Sequence, residues 1–269
     1  MRPADSTIAA DEVTIVDGHV HVREGFDIST LLSAAVLNID RLAQDAAKVH
    51  PVLVLAESTG EEAFARLAAH DRPLGRWRFN ETDEPCTLEA ERDDGRLLTL
   101  INGRQWTCDD KLEVLTLGSD TRLADGMPFG ECIQAGLEAG AMVTLPWGFG
   151  KWTGERRVRV LDAIDRFGEA IVLGDSAARP GRGRDTVLET GRLHGLAVLP
   201  GTDPLPIPNH TRRAGRYGLR LDGRPPRNGR WDWLSAQIRS SPPLGRSIGH
   251  RDGLVGAVAT QIRLRLSKR

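Results

Sequence analysis

Four consecutive apolar residues, Val52-Leu53-Val54-Leu55, lie between two segments with helical spacing. An uninterrupted apolar run of strand length suits a strand covered on both faces, and such strands belong to parallel sheets flanked by helices. The segment before it, from about Leu31 to Ala47, repeats Leu31, Leu32, Ala35, Val36, Ile39, Leu42 and Ala46 at helical intervals. Asp27 or Ser29 is its expected N-cap and Pro51 its stop. A short helix is expected after the run, near Glu61–Ala69, and a short apolar strand, Val13-Thr14-Ile15-Val16, precedes everything. The order β-α-β-α leads to parallel strands joined by helices.

The middle of the chain has another rhythm. Trp77-Arg78-Phe79 alternates, Leu97–Ile101 and Leu112–Leu117 read as strands, and Asn102-Gly103 reads as a turn. These predict a mixed or antiparallel insertion. The βα rhythm then returns. Helices near Phe129–Ala139, Glu155–Phe167 and Thr186–Leu193 precede strands at Ala141–Leu145, Ala170–Leu173 and Leu196–Leu199 respectively. Helices near Trp231–Arg239 and Leu254–Leu266, among Pro225-Pro226 and Pro242-Pro243, read as cover.

In parallel α/β architectures, ligands gather at the carboxyl ends of strands. The first strand ends in Asp17-Gly18-His19-Val20-His21. Residues two apart on a strand share a side, so both imidazoles can converge on one metal ion. Later strand ends supply Glu57, then Arg104 and Gln105, then Lys151 in the loop Trp147–Trp152, then Asp175 and Arg179, then Asp203. Each has an ordinary alternative. Asp175 and Asp203 suit helix caps or turns, Glu57 suits support of the next helix, and the Trp147–Trp152 loop suits packing by its own indoles. His50 and His70 are expected at helix ends, His194 at a helix C-terminus, and His210 and His250 in loops.

Composition narrows the function classes. The chain has 269 residues, 40% hydrophobic and 27% charged, with formal net charge −1. That suffices for one barrel and gives no strong nucleic-acid signature, the basic cluster Arg263, Arg265, Lys268 and Arg269 reading as a solvated terminus. Cys86, Cys108 and Cys132 form no C-x-x-C pair, which points away from a disulfide framework or a cysteine zinc site. No membrane span or signal peptide is expected, and a cytoplasmic location is the default. G-x-S-x-G is absent, as is a G-x-G-x-x-G after a strand, which removes the usual signatures of serine hydrolases and dinucleotide binders.

The ordered motifs resemble the PHP family, named for its polymerase and histidinol phosphatase members. Val16-Asp17-Gly18-His19-Val20-His21 is similar to its opening D-x-H-x-H motif. Leu55-Ala56-Glu57-Ser58-Thr59 falls at its Thr-Asp-His-Asp segment, and Leu100–Trp106 at its Pro-Gly-x-Glu strand end. Val143-Thr144-Leu145-Pro146 sits at its Ala-His-Pro, and Leu199–Leu205 at its Gly-Ser-Asp-Ala-His, with Arg216-Tyr217-Gly218 after it. The resemblance implies a single distorted (β/α) TIM-like barrel of the PHP type, with a mixed-strand middle section and C-terminal covering helices. It divides the chain into a tail at 1–12, a barrel at 13–221 and a helical extension at 222–269. It also implies phosphoester hydrolysis on metal ions at the strand ends.

The departures reshape that expectation. Leu115, Leu145 and Leu205 stand where the family carries ligand histidines, Ser58 likewise, with Gln105 in place of a bridging Glu and Glu57 in place of Asp. Leucine cannot coordinate a metal, so the resemblance implies one divalent transition metal, Zn, Mn or Fe, rather than three. Its expected ligands come from His19, His21, Glu57, Gln105, Asp175 and Asp203. Asp203 also serves as proton acceptor, and Lys151, Arg104 and Arg179 stabilise substrate charge. The expected partner is a small-molecule substrate or ligand. Two other readings stay open: an inactive barrel that binds a ligand or protein, and a divergent amidohydrolase-type enzyme, whose superfamily also opens with His-x-His.

Overall fold

A computed structural model of the chain describes residues 12–180, 185–241 and 247–251. The chain opens with β1 (Glu12–Val20), α1 (Ile28–Leu42), β2 (Lys48–Leu55) and α2 (Ala63–Ala68). Strands β3 (Trp77–Glu81), β4 (Thr87–Arg92), β5 (Leu97–Ile101), β6 (Gly103–Thr107) and β7 (Glu113–Leu117) follow. Then come α3 (Phe129–Glu138), β8 (Met142–Pro146), α4 (Gly154–Phe167), β9 (Val172–Ser176), α5 (Thr186–Leu193) and β10 (Val198–Gly201). The last elements described are β11 (Tyr217–Asp222), α6 (Arg230–Arg239) and β12 (Ser247–Gly249).

The expected mixed α/β fold is present, but the described strands do not close into the single distorted barrel. The strands form two sheets, a seven-stranded one ordered β12-β11-β1-β2-β5-β4-β3 and a five-stranded one ordered β10-β9-β8-β7-β6. Among the described residues short seams join them: Glu57 bridges Arg104 beyond the end of β2, and Asp203 N donates to His19 O at 2.8 Å beside β1. The ladder opens at those seams because β2 pairs on its far side with β5 and carries the β3–β4 hairpin outward, as the mixed middle section anticipated. The chain passes from one sheet to the other at Asn102-Gly103, which is a strand-to-strand passage rather than a hairpin turn. A Cβ on Gly103 would lie 2.4 Å from Leu55 O, so the passage needs glycine there.

Apolar side chains fill three layers. One lies between the first sheet and α1 with α2, through Leu31, Val36, Ile39 and Trp77; another lies between the second sheet and α3, α4 and α5. The third fills the space between the sheets with Val16, Val52, Val54, Leu115, Leu117 and Leu199, closed by Trp231, Leu234 and Ile238 of α6. α6 thus acts as the expected cover. The tail through residue 11, Pro242-Pro243, the expected helix 254–266 and the basic cluster lie outside the described residues.

Two local expectations change. α1 ends at Leu42 and not near Ala47, and Pro51 sits inside β2 instead of stopping a helix. β2 tolerates proline because pairing with β5 begins only at Val52, so no ladder bond on that side is lost at Pro51. His50 is accordingly a strand residue, whose ring contacts Glu12 at 3.1 Å. Among the described residues no helix is long and apolar enough to cross a membrane.

Candidate metal centre

The end of β1 is shaped by glycines. A Cβ on Gly18 would meet Leu199 Cγ at 2.2 Å, and one on Gly201 would meet His19 N at 2.4 Å. The two bare backbones therefore let β10 close on β1. The register of β1 against β2 shifts between Asp17 and Val20, a bulge that re-aims the following side chains. Asp17 accepts from Gly215 N and Thr202 N, each at 2.8 Å, from Thr202 Oγ1, and from His19 N at 3.4 Å. It ties the two strand ends together. Burial pushes its carboxyl up to about 7 against those donors.

Just past this staple, Asp203 takes a left-handed backbone, φ 46°, uncommon for any residue but glycine and best tolerated by Asp and Asn. That turn brings its carboxylate to the imidazoles. His19 Nε2 and His21 Nε2 are 3.0 Å apart, and Asp203 Oδ1 lies 3.8 and 3.6 Å from them. Gln105 Oε1 is 3.2 Å from His19 Nε2. Ligand atoms about 2.1 Å from one ion stand about 3.0 Å apart at a right angle and about 3.4 Å apart at the tetrahedral angle. The separation of the two imidazole nitrogens matches the right-angle value, while the two to Asp203 are somewhat longer than the tetrahedral one. His19, His21 and Asp203 together form a group of donor atoms fit for one metal ion.

Electrostatics agree with that fit. Burial lowers the His21 imidazole to about 4, outweighing the nearby Glu61, so its nitrogen lone pair is free at neutral pH. Burial acts to raise Asp203, but the charges of His19, His21, Arg23 and Lys151 bring its carboxyl below the ordinary range. On the far side of His21, Nδ1 faces Glu61 Oε2 at 3.8 Å. Glu61 is fixed by Ser58 N at 2.8 Å and Arg23 Nη1 at 3.1 Å. Burial alone would raise Glu61, yet His21, Arg23 and Ser58 N bring it down to about 2. At that distance His21 Nδ1 makes no hydrogen bond to Glu61, so the carboxylate acts on the ring through its charge.

The other residues singled out from sequence lie elsewhere. Glu57 Oε1 accepts from Phe64 N at 2.5 Å in the first turn of α2, and its Oε2 faces Arg104 Nη1 at 3.9 Å. It supports the helix and does not join the donor group. Asp175 accepts a two-pronged bond from Arg179, 2.6 and 2.8 Å, and a third from Tyr217 Oη at 2.7 Å. That carboxylate and that guanidinium neutralise each other. Arg104 donates to Glu62 at 2.8 Å and to Asp120 at 3.0 and 3.2 Å, so its fork already holds carboxylates. Lys151 pairs with Glu113, which accepts from Gln105 Nε2 at 3.3 Å. Through Gln105 the lysine is linked to the histidines. Leu145 belongs to the helix-side core, whereas Leu115 faces the space between the sheets, opposite Gln105 in register.

Sequence reasoning missed Glu61, Arg23 and Glu113. Two signals were present. His19, His21 and Arg23 continue one alternation, and Ser58-x-x-Glu61 has the spacing of a capping box. Glu113 carried none, since its role depends on Lys151 arriving from a distant loop. His210, which had no nameable partner in sequence, accepts from Leu205 N at 3.0 Å.

No family model matches the chain, and no curated protein matches it in sequence. Solved structures do share its fold. The crystal structure of PsfC from Pseudomonas syringae PB-5123 aligns over 96% of this chain and all of that one, with TM-score 0.55 and 16% identity. The lesion-specific endonuclease PfuEndoQ from Pyrococcus furiosus aligns over 88% of this chain and 57% of its own, with TM-score 0.52 and 14% identity. Endonuclease Q in complex with a 27-mer duplex substrate, an abasic lesion at its active site, aligns over 87% of this chain and 58% of its own, with TM-score 0.50 and 14% identity. The chain thus spans little more than half the length of the two endonuclease chains.

Proposed function

We propose that this chain is a PHP-like, metal-dependent phosphoesterase with a mononuclear site. The observation that carries the reading is the convergence of His19 Nε2, His21 Nε2 and Asp203 Oδ1 at the mouth between two sheets, within reach of one ion. In this reading residues 13–221 carry the catalytic domain and α6, from the following segment, packs on it. A divalent Zn, Mn or Fe ion held there supplies Lewis-acid polarisation of a phosphoryl oxygen. His21 offers a neutral imidazole, and the charge of Glu61 lies behind it. Asp203, ionised and 17% exposed, accepts a proton from the attacking water. Lys151, held by Glu113, would have to turn from that carboxylate to meet negative charge on the phosphoryl group, and Gln105 orients His19.

The substrate class is a phosphoester. Two of the similar structures are DNA endonucleases, so a DNA phosphodiester carrying a lesion stands beside small phosphate esters as a substrate to assay, despite the near-neutral charge of this chain. The test is a panel of phosphomonoesters, phosphodiesters and abasic duplex DNA with Mn²⁺, Zn²⁺ or Fe²⁺. Turnover that needs metal and disappears in His19→Ala supports the proposal. Folded protein that neither retains any of these metals nor turns over any of these substrates overturns it. One observation favours a binding module instead: Leu115 and Leu199 make the interior beneath the cluster apolar. Ligand capture without turnover under every metal supports that second reading.

A further inference from the structure

Beside the donor group, and not within it, lies a cavity of about 690 Å³ between the loop after β1 and the loop leading into α2. The volume falls in the range of small-molecule sites, about 300–1,000 Å³. It is much larger than a phosphoryl group needs. The cavity and the metal centre share a wall. Arg23 and Glu61 line the cavity, and Glu61 is the residue that backs His21. Arg23, Glu61 and Asp203 keep 17–20% of their side chains open, so the boundary between the two spaces is itself accessible.

The lining has two characters. Val22, Phe26, Ile28 and Leu67 give it an apolar face, while Arg66 on α2 projects a guanidinium. Arg66 is exposed. A phenyl ring and a guanidinium plane both stack on flat π systems. We infer that this cavity is the subsite for the non-phosphoryl part of the substrate, an aromatic group of nucleobase to nucleoside size. The inference rests on the hydrolase reading for the position of the phosphoryl group. A substrate with its phosphorus at His19, His21 and Asp203 passes its ester arm over the Arg23–Glu61 pair and lays its ring between Phe26 and Arg66.

The test measures binding apart from turnover. The full chain is titrated into 1-naphthyl phosphate, whose ring fluoresces, without added metal, and methyl phosphate serves as the ringless comparison. Arg66→Ala changes an exposed residue and spares the fold; Phe26→Ala tests the apolar lining and is checked for folding by circular dichroism. Each variant is expected to weaken 1-naphthyl phosphate about fivefold or more, the factor one lost aromatic contact carries, and to lower the naphthyl-to-methyl preference in parallel. Equal affinity in the wild type and both variants overturns the inference, as does absence of naphthyl phosphate binding to the wild type. Ring-dependent binding without turnover under any metal keeps the subsite and removes the hydrolase reading. Metal-dependent turnover with no naphthyl preference does the reverse.

Discussion

Glu57→Gln separates the role its sequence position suggested from the role its surroundings give it. The side chain is 2% exposed, with one oxygen on Phe64 N at 2.5 Å and the other without a hydrogen-bond partner, 3.9 Å from Arg104. Arg104 cannot compensate it well, because Glu62 and Asp120 already occupy its fork. Burial consequently raises the carboxyl from its ordinary 4.5 to about 7. Between those two pH values the folded chain keeps a proton that the unfolded chain has released. The stability this carboxyl contributes is therefore whole below its unfolded value and is lost as pH rises through about 7. Full ionisation costs the folded state about 3 kcal/mol. Glutamine keeps an oxygen for Phe64 N and never ionises.

Relative to wild type, Glu57→Gln is then expected to be nearly neutral at pH 4.5 and to gain about 3 kcal/mol by pH 8. Urea denaturation of both proteins at four or five pH values reads this directly. A difference in unfolding free energy that stays constant across the range refutes the reasoning, since it means that Glu57 is ionised throughout. The same preparations report on the metal. With Glu57 outside the donor group, metal affinity at pH 7 changes by no more than about twofold, whereas the loss of a supporting or ligating group costs about tenfold or more.

His21 gives the opposite slope. Its imidazole protonates near 4 when folded and near 6.5 when unfolded, so stability falls by about 3 kcal/mol as pH drops between those values. Subtracting a His21→Asn denaturation series from the wild-type series isolates that fall, and parallel curves contradict it. Gly201→Ala drives a methyl group into His19 N and Cβ, at 2.4 and 2.6 Å. Backbone cannot yield as a side chain does, so a cost of about 3 kcal/mol together with loss of metal retention is expected from thermal melts and metal analysis. Arg179→Met strands Asp175 in the core and should cost about 3–5 kcal/mol, while joining it to Asp175→Leu recovers more than half, because removing both charges also removes the burial penalty. A double variant no more stable than the single one argues that the pair does more than neutralise itself.

The strands and helices with strong periodicity were legible: α3, α4, α5 and α6 fall within a residue or so of their expected bounds, as does β8. Burial on both faces wrote β2 into the sequence directly. The strands missed, β4, β6, β11 and β12, alternate weakly, carry charges or are very short, and β11 takes its place only by pairing with β1 from the far end of the chain. Closure was illegible for a related reason. Whether two strands bond into one ladder depends on Gly18 and Gly201 approaching across nearly the whole chain, and single glycines carry no such address. For the site, His19 and His21 were readable from spacing of two. Asp203 was readable only as a strand-end acid, and Asp175 looked identical by that criterion. What separates them is the left-handed turn at Asp203 and the Arg179 fork on Asp175.

That distinction also limits how many ions the mouth can hold. A second ion needs further anionic oxygen facing the same space, yet each neighbouring carboxylate among the described residues already has at least one oxygen engaged. Glu61 serves Arg23 and Ser58, Glu113 serves Lys151, and Asp175 serves Arg179 and Tyr217. Asp17 is spent on the strand ends, and Glu57 on α2. Releasing any of them would leave a buried cation or backbone donor without its acceptor, at a cost of several kcal/mol. Gln105, where a family bridging glutamate is expected, has a neutral oxygen that can touch His19 but brings no charge to hold a second cation. Among the described residues the shell around His19 and His21 offers one donor group, and a glutamate at Gln105 alone is expected to add no second one, because Leu115 faces that space from the next strand.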